Sequence, residues 1–256
     1  MKIVKPEIKL KFIFHKKGET AKDCADKIYF NEEEKLYAVA DGATRSFFPS
    51  IWAEYLVKNF CKKKKTKLLF TQKNLNKWLK PVQKRWEKKV KALIKKYDKY
   101  YLNNRFFNKE SAVSTFLGLK FFISDKKLKW VAIAIGDTCL FHIKRDQSLE
   151  MYPIKKSDQF NSYPEYFASY EKDNNQFEPE FIEGYSNLGD VFVIATDALS
   201  CWVMNYYETN QIFPLDLLLK INENKIEEMR SLKDNRLVND DVALLIIEIT
   251  KIIKNE

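Results

Sequence analysis

Five aspartates border apolar, strand-like segments of this sequence, where a carboxylate can take part in chemistry. They are Asp26, Asp41, Asp137, Asp197 and Asp240. A lone aspartate at a strand end most often caps a turn or the next helix. Two carboxylates about 4 Å apart repel by roughly 4 kcal/mol at a surface-like dielectric, so a converging cluster needs counterions. Oxygen donors of this kind favour Mg²⁺ or Mn²⁺.

Other catalytic chemistries find little support in the residue types present. The chain has only two histidines, His15 and His142, which disfavours zinc and catalysis by Ser-His-Asp or Cys-His groups. It has no P-loop and no G-x-G-x-x-G motif. The four cysteines are far apart and form no C-x-x-C pair, which predicts free thiols in a reducing compartment.

The segment LYAVADGATR, residues 36–45, is the strongest candidate for the centre of the site. Its apolar run predicts a buried strand that stops at Asp41-Gly42, where glycine permits a sharp turn and a close approach to a ligand. A second strand, 27–30, follows Asp26, and the residues between the two strands form a hairpin-like turn. Antiparallel pairing of these strands would bring Asp26 and Asp41 together.

The remaining elements frame these aspartates. Predicted strands cover 7–14, 112–123, 128–136, 139–144, 190–197 and 242–249. A helix capped by Ser50 buries Trp52, and a long amphipathic region over 71–101 is interrupted or kinked at Pro81. Its buried stripe is expected to contain Leu75, Trp78, Leu79, Val82, Trp86, Val90, Leu93, Ile94 and Tyr97. Two more helices are predicted, over 199–206 and 214–230, and the polar stretch 145–188 is interpreted as a surface excursion.

Length and composition indicate one globular domain, 1–256. Hydrophobic residues make up 45% of the 256 residues, enough for a large core. No signal peptide or membrane-spanning run is visible, so a cytoplasmic location and no membrane partner are expected. The net charge is +10, with its excess in residues 62–99. That region is expected to be a solvated helical face, and a nucleic-acid partner ranks last because Trp78 and Trp86 fit the buried stripe.

Five segments together resemble the metal-dependent type 2C (PPM) Ser/Thr protein phosphatases. They are DCAD (23–26), VADGA (39–43), GDT (136–138), ATDALSCW (195–202) and NDDVALLII (239–247). They stand in the family's order and at its spacing, so the resemblance spans nearly the whole chain. FNSYPEYFAS (160–169) and TDAL (196–199) are more similar to a bacterial-type branch than to eukaryotic members.

The resemblance implies an α+β fold, a four-layer αββα sandwich of two packed antiparallel sheets flanked by helix pairs. It implies that Asp41 and Asp26 are catalytic, that Asp41 bridges two Mg²⁺ or Mn²⁺ ions, and that the Gly42 carbonyl binds one of them. Asp26 would act near this centre, directly or through water. Asp197 and Asp240 would complete the second ion, and Asp137 with Asp197 a weaker third. A metal-bridging water would then hydrolyse phosphoserine or phosphothreonine in a phosphorylated protein substrate, with the chain acting as a monomer.

The sequence departs from the family at several loops. Thr196-Asp197-Ala198 replaces a common Ser-Asp-Gly, Thr44-Arg45 stands near a Gly-Gly position, and Ala243 replaces a common threonine. The arginine that often contacts substrate phosphate has no clear counterpart. His15, Lys16 or Lys17 can substitute for it. The alternative that these departures leave open is an inactive pseudophosphatase that serves as a binding module.

Overall fold

The computed structural model of the chain describes residues 4–62, 72–161, 163–174 and 178–251. Lys63–Lys65 of the basic run and Thr71 at the start of the predicted long helix lie outside the described residues. Within the described part of the chain, no helix combines the length and the apolar character needed to cross a membrane.

Six strands form the first antiparallel sheet, which carries the DCAD and VADGA segments. Its order is β2-β3-β4-β5-β9, and β8 pairs with β4 beside this path. The strands are β2 (Lys27–Asn31), β3 (Leu36–Gly42), β4 (Val113–Ser124), β5 (Lys127–Ile135), β8 (Phe167–Ala168) and β9 (Glu180–Ser186). Its connections are short where strands are neighbours in sequence, as expected of hairpins.

Five strands form the second antiparallel sheet, in the order β1-β11-β10-β6-β7. They are β1 (Val4–Phe14), β6 (Cys139–Ile143), β7 (Leu149–Tyr152), β10 (Val191–Ala195) and β11 (Val242–Lys251). The two ends of the described chain meet here, because β1 pairs with β11 along its length. Strand β11 lies between β1 and β10 and therefore joins the sheet's two halves.

Both sheets are apolar on both faces, and this is what stacks the layers. In β3, Tyr37 and Val39 face the second sheet and pack in a core with residues such as Phe192 of β10. The alternate residues of β3, Leu36 among them, face outward into a separate core under helices. Successive side chains of a strand point to opposite faces, so a continuous apolar run predicts a sheet that is covered on both sides.

Helices cover the two outer faces. Three of them, α1 (Pro49–Phe60), α2 (Gln72–Tyr97) and α3 (Tyr100–Phe107), lie on the first sheet. The other three, α4 (Asp197–Asn210), α5 (Leu215–Leu219) and α6 (Glu223–Ser231), lie on the second sheet. The predicted four-layer αββα sandwich is confirmed. One domain over residues 1–256 stays a prediction.

Several predicted elements differ from the structure. The interval 145–188 is not wholly a surface excursion, since β7 and β9 extend the two sheets and Phe167 is buried. Pro81 lies inside one continuous helix, and that helix ends at Tyr97. The predicted helix over 214–230 is two helices. A cap was predicted at Ser50, but Phe48 occupies the capping position and Ser50 lies in the first turn of α1.

Candidate active site

Asp26 and Asp41 lie side by side at one end of the first sheet. The register of β2 and β3 pairs Lys27 with Ala40, which places Asp26 next to Asp41. Burial raises the pKa of Asp26 to about 7. Burial, followed by the charge of Asp26, raises the pKa of Asp41 well above its usual value. Two buried carboxyl groups this close repel each other when both are ionised, so in the absence of a cation the pair favours retaining a proton.

Gly42 ends β3 in a space that admits no side chain. A Cβ atom there would lie 2.9 Å from the carbonyl oxygen of Pro49, at the start of α1. The backbone of Ala43 continues the pairing with β4 by donating to the carbonyl of Val113 at 3.0 Å. The chain can therefore turn from β3 toward α1 only with glycine at this position.

Asp137 lies in the three-residue turn that leads from β5 in the first sheet to β6 in the second. The turn begins at Gly136, whose φ of 83° is in the left-handed region that glycine tolerates. The hydroxyls of Thr138 and Thr115 are 2.6 Å apart and fix the turn against β4. Asp137 is 4% exposed, its Oδ1 has no hydrogen-bond partner among the residues that the structure describes, and burial raises its pKa to about 6.

Asp197 is the first residue of α4, directly after β10. Its Oδ1 accepts a hydrogen bond from the backbone of Ala198 at 2.5 Å, as acidic residues do at helix starts. Burial raises the pKa of Asp197 well above its usual value, and the charges of Asp137 and Asp26 raise it further. The second sheet thus brings its own carboxylate to the pair on the first sheet.

Thr196 connects the two sheets at this point. Its hydroxyl donates to Oδ2 of Asp26 at 2.7 Å and accepts from the backbone nitrogen of Ala243, in β11, at 2.9 Å. The other oxygen of Asp26, Oδ1, has no hydrogen-bond partner in the part of the chain that the structure describes. One oxygen of this buried carboxyl group is therefore fixed, and the other is available to a ligand.

Asp240 approaches the cluster from the loop before β11. Its charge raises the pKa of Asp26, Asp137 and Asp197, after the larger effect of burial in each case. Its Oδ1 accepts from the backbone of Asp241 at 2.8 Å. Arg230, 7% exposed, donates to the Asp240 carbonyl at 2.5 Å and holds this loop in place. All five predicted aspartates are thus brought to one end of the sandwich.

Asp241 is a structural residue of the site that sequence reasoning missed. It is buried, and its two carboxylate oxygens accept from the backbone nitrogens of Lys16 at 2.9 Å and Ala25 at 2.6 Å. It therefore fixes the loop that carries Asp26. A signal was available: adjacent aspartates before a strand point to opposite sides, so only one of the pair can face a shared site.

Among the candidate phosphate-binding residues, Lys16 is the one whose backbone nitrogen donates to Asp241, at 2.9 Å. Although burial opposes the shift, the Glu19 carboxylate 3.1 Å away raises the pKa of Lys16, and the charges of Asp240 and Asp241 add to this. Its Nζ also donates to Thr44 at 3.0 Å. The imidazole of His15 is taken up by local contacts, since its Nδ1 lies 3.0 Å from the Lys16 carbonyl.

The donor set fits a hard divalent cation. It consists of carboxylates, and the buried Oδ1 atoms of Asp26 and Asp137 lack partners that an ion could supply. Among the described residues, no three His, Cys, Asp or Glu side chains are already spaced as ligands of one ion. Burial, and after it the neighbouring like charges, raise the pKa values here, so binding of a cation would displace protons from the cluster.

A cleft of about 570 Å³ opens beside Asp137. The turn that carries Asp137 forms one side of the cleft. Another side is formed by Pro153, Tyr163 and Glu165, from the interval 145–188. This cleft leads from solvent to a carboxylate of the cluster, and its size allows entry of a phosphorylated side chain.

Comparisons with known proteins agree with this architecture. The sequence profile of the family described as Protein phosphatase 2C matches residues 16–234, a range that contains four of the five aspartates and stops before Asp240. The search of curated proteins gave no match.

Three solved structures illustrate the likeness of fold. One is PppA, described as a key regulatory component of T6SS in Pseudomonas aeruginosa, with a TM-score of 0.59 and 14% identity over 96% of this chain and 98% of that one. Another is the catalytic domain of the serine threonine protein phosphatase PstP in complex with two manganese ions. Its TM-score is 0.55, with 14% identity over 97% of this chain and 100% of that one. The third is the PPM Ser-Thr phosphatase MsPP from Mycobacterium smegmatis. Its TM-score is 0.52, with 13% identity over 93% of this chain and 97% of that one.

Proposed function

Because the chain belongs to the protein phosphatase 2C family, as its five segments predicted, we propose that it hydrolyses phosphoserine and phosphothreonine in proteins with the help of Mg²⁺ or Mn²⁺. The observation that carries this proposal is the convergence of aspartates from both sheets on one point, with two buried carboxylate oxygens that lack partners. The two manganese ions of PstP support the choice of metal.

The proposed roles follow the positions of the carboxylates. Asp41 and the Gly42 carbonyl would hold the central ions, and Asp26 would act beside them, directly or through water. Asp197 and Asp240 would hold the second ion, and Asp137 with Asp197 a weaker third. Held by these residues, Mg²⁺ or Mn²⁺ would supply a water molecule of lowered pKa for attack on phosphorus and would offset the charge of the phosphoryl oxygens.

The chain's other residues position these groups. Thr196 holds one oxygen of Asp26, so that the free oxygen has a defined direction. Asp241 fixes the loop that carries both Lys16 and Asp26. Lys16, at the rim of the cluster, is the residue proposed to meet the substrate phosphate by charge attraction. Glu19 and Thr44 hold its ammonium group there.

Hydrolysis of a phosphothreonine peptide, measured with Mn²⁺, with Mg²⁺ and with EDTA, tests the proposal. We expect turnover with either ion and none in EDTA, with recovery when the ion is restored. Full activity in EDTA, or a stoichiometric tight content of zinc, would contradict the proposed metal chemistry.

The same assay separates the enzyme from the alternative, an inactive binding module with this fold. That alternative is favoured by the altered loops at Thr44-Arg45 and Thr196-Asp197-Ala198. It predicts no turnover with either ion, although calorimetry would still detect binding of a phosphopeptide. A phosphorylated protein partner, a monomeric state and a cytoplasmic location remain predictions under both alternatives.

A further inference from the structure

A groove between α1 and α2 concentrates positive charge on the outer helical layer, away from the acidic cluster. It has a volume of about 510 Å³. Its cationic lining residues are Lys58 and Lys62 at the end of α1 and Arg85, Lys88 and Lys89 on α2. The elements on either side are held by the apolar core beneath them, which contains Trp52 and Trp86. The groove is therefore a fixed feature of the fold.

The charge of this groove is only partly balanced within the chain. Lys58 forms an ion pair with Glu54, one helical turn earlier. In the part of the chain that the structure describes, no carboxylate lies within ion-pair distance of Arg85, Lys88 or Lys89. Cations gathered in a concave surface raise the local positive potential and attract anionic groups.

A buried amide in the lining shows what else a ligand would supply. Asn59 lines the groove and is 1% exposed, and neither its Nδ2 nor its Oδ1 has a hydrogen-bond partner among the described residues. An unpaired buried amide is costly, and such groups usually have a partner. A peptide group, with one donor and one acceptor, can satisfy both atoms when the Asn59 side chain rotates toward the groove. A phosphate or carboxylate ion supplies acceptors only and would leave Oδ1 unpaired.

We propose that this groove binds an acidic segment of a protein, with carboxylates or phosphoryl groups on the cations and a backbone peptide group on Asn59. Under the proposed function, that protein is the phosphorylated substrate, and the groove holds it at a distance from the cleavage site. The binding itself does not depend on the phosphatase activity.

Two other anionic partners fit the groove less well. Single-stranded nucleic acid needs aromatic rings to stack its bases, but Tyr55 is the only aromatic residue among the described residues that line the groove. An anionic membrane needs exposed apolar groups beside the cations. The exposed rings of Tyr100 and Phe107 instead border a separate pocket with Glu87, across α2 from the groove.

The first test measures binding of a fluorescent, unphosphorylated peptide of alternating glutamate and glycine by anisotropy. The groove variant is Arg85→Glu with Lys88→Glu and Lys89→Glu. Its matched control is Lys84→Glu with Lys91→Glu and Lys95→Glu, which makes the same change in net charge at exposed positions of α2 that do not line the groove. We expect binding to weaken about tenfold or more in the groove variant, and much less in the control.

The second variant, Asn59→Leu, separates a binding role from a structural one. Leucine keeps the volume of the side chain and removes both unpaired atoms, so thermal stability should equal or exceed that of the wild type. Peptide binding should weaken several-fold. Unchanged binding by this stable variant, or equal losses in the two charge-reversal variants, would overturn the proposal.

Further measurements distinguish the acidic peptide from nucleic acid and membrane as partners. They also distinguish binding at the groove from the proposed phosphatase activity. Oligodeoxythymidine and vesicles of anionic phospholipid replace the peptide, and groove-dependent binding of either without binding of the peptide would also overturn the proposal. Turnover of a short phosphothreonine peptide should be the same in all charge-reversal variants. The same peptide with an added glutamate-rich segment should show a raised KM only in the groove variant. Absence of turnover with intact peptide binding would count against the phosphatase alone.

Discussion

The hydroxyl of Thr196 carries two hydrogen bonds where the two sheets meet. One runs to Asp26 on the first sheet and the other comes from Ala243 on the second. Thr196 also precedes α4, but its side chain makes no capping bond, so the helix does not depend on the hydroxyl. The role of this residue is therefore to hold the Asp26 carboxyl group in position.

Substitution Thr196→Val keeps the shape and removes both bonds. We expect the free energy of unfolding of the metal-free protein to fall by about 1–3 kcal/mol, the cost of leaving buried polar groups unpaired. Thr209→Val is the control, because its exposed hydroxyl bonds only within α4, and its cost should stay below about 0.5 kcal/mol. Urea titrations measure both values. Equal stability of the two variants would show that the Thr196 hydroxyl does not hold the sheets together.

Asp41 and Asp137 are expected to differ in their importance for turnover. If Asp41 bridges both central ions, Asp41→Asn should lower kcat by roughly 10²–10³-fold, as loss of one stabilising donor does elsewhere. Asp137→Asn should lower it less, because its proposed ion is the weaker one. Both metal-free variants should unfold at or above the wild-type temperature, since a repulsive carboxylate has gone. Turnover and calorimetric metal affinity test this order. Wild-type values in Asp41→Asn would refute the site assignment.

The sequence predicts those parts of the site that depend on the pairing of strands adjacent in the chain. Asp26 and Asp41 are neighbours because two adjacent strands form a hairpin, and hairpins can be inferred from pattern and turn residues. The contacts of Asp241 with Lys16 and Ala25 join segments more than two hundred residues apart. Nothing in the local pattern specifies such a contact, because it depends on how the two sheets stack.

At the scale of elements, the turn between β5 and β6 requires glycine at position 136 for two reasons. Its φ is positive, and a Cβ atom would lie 2.4 Å from the Glu165 carbonyl oxygen. Gly18 also has a positive φ, of 93°, but a Cβ atom there would meet no other atom within 4 Å. Both glycines therefore have the left-handed backbone conformation, but only at Gly136 would a Cβ atom collide with a neighbouring residue.

This difference gives a matched pair of substitutions. Gly18→Ala should cost about 1 kcal/mol, the cost of a left-handed conformation for a residue with a side chain. Gly136→Ala should cost more, roughly 2–4 kcal/mol, because the backbone must also move away from the contact. Denaturant unfolding compares them. A Gly136→Ala protein no less stable than Gly18→Ala would mean that the turn relaxes without strain.

The elements that could be predicted are those whose periodicity is strong. Seven residues of the predicted stripe of α2 are buried, whereas Tyr97, at its last turn, is 51% exposed. Lys84, Lys88 and Lys95 are exposed, as a solvated face requires. Strand β9 could not be predicted, because only Ile182 and Ser186 among its residues are buried and its hydrophobic signal is weak. Its place is set by pairing with β5.

For the molecule as a whole, the acidic cluster should make stability depend on pH. Burial raises the pKa of Asp26 to about 7 and that of Asp137 to about 6. From about pH 4 upward the unfolded chain has lost protons that the folded chain retains, so the free energy of unfolding falls as pH rises toward 7. We expect the Tm in EDTA to fall between pH 5 and pH 8.

Cations should remove this dependence, since they bind the deprotonated cluster. Calorimetric scans across the same pH range, with EDTA and with Mn²⁺, measure the effect. The variant carrying Asp26→Asn and Asp137→Asn should show a smaller fall in EDTA than the wild type. A Tm in EDTA that rises steadily from pH 5 to pH 8 would contradict the expected sign.

The pairing of β1 with β11 has a consequence for synthesis on the ribosome. Strand β1 is made before the other strands of the two sheets, but the strand that it pairs with in the second sheet is made more than two hundred residues later. Such non-local pairing slows folding and leaves apolar strands exposed while the chain grows. Asp240 and Asp241 arrive with the same late segment, and Asp241 then fixes the loop that carries Asp26. A nascent chain without β11 therefore has no assembled acidic cluster, and we expect it to remain inactive until β11 inserts.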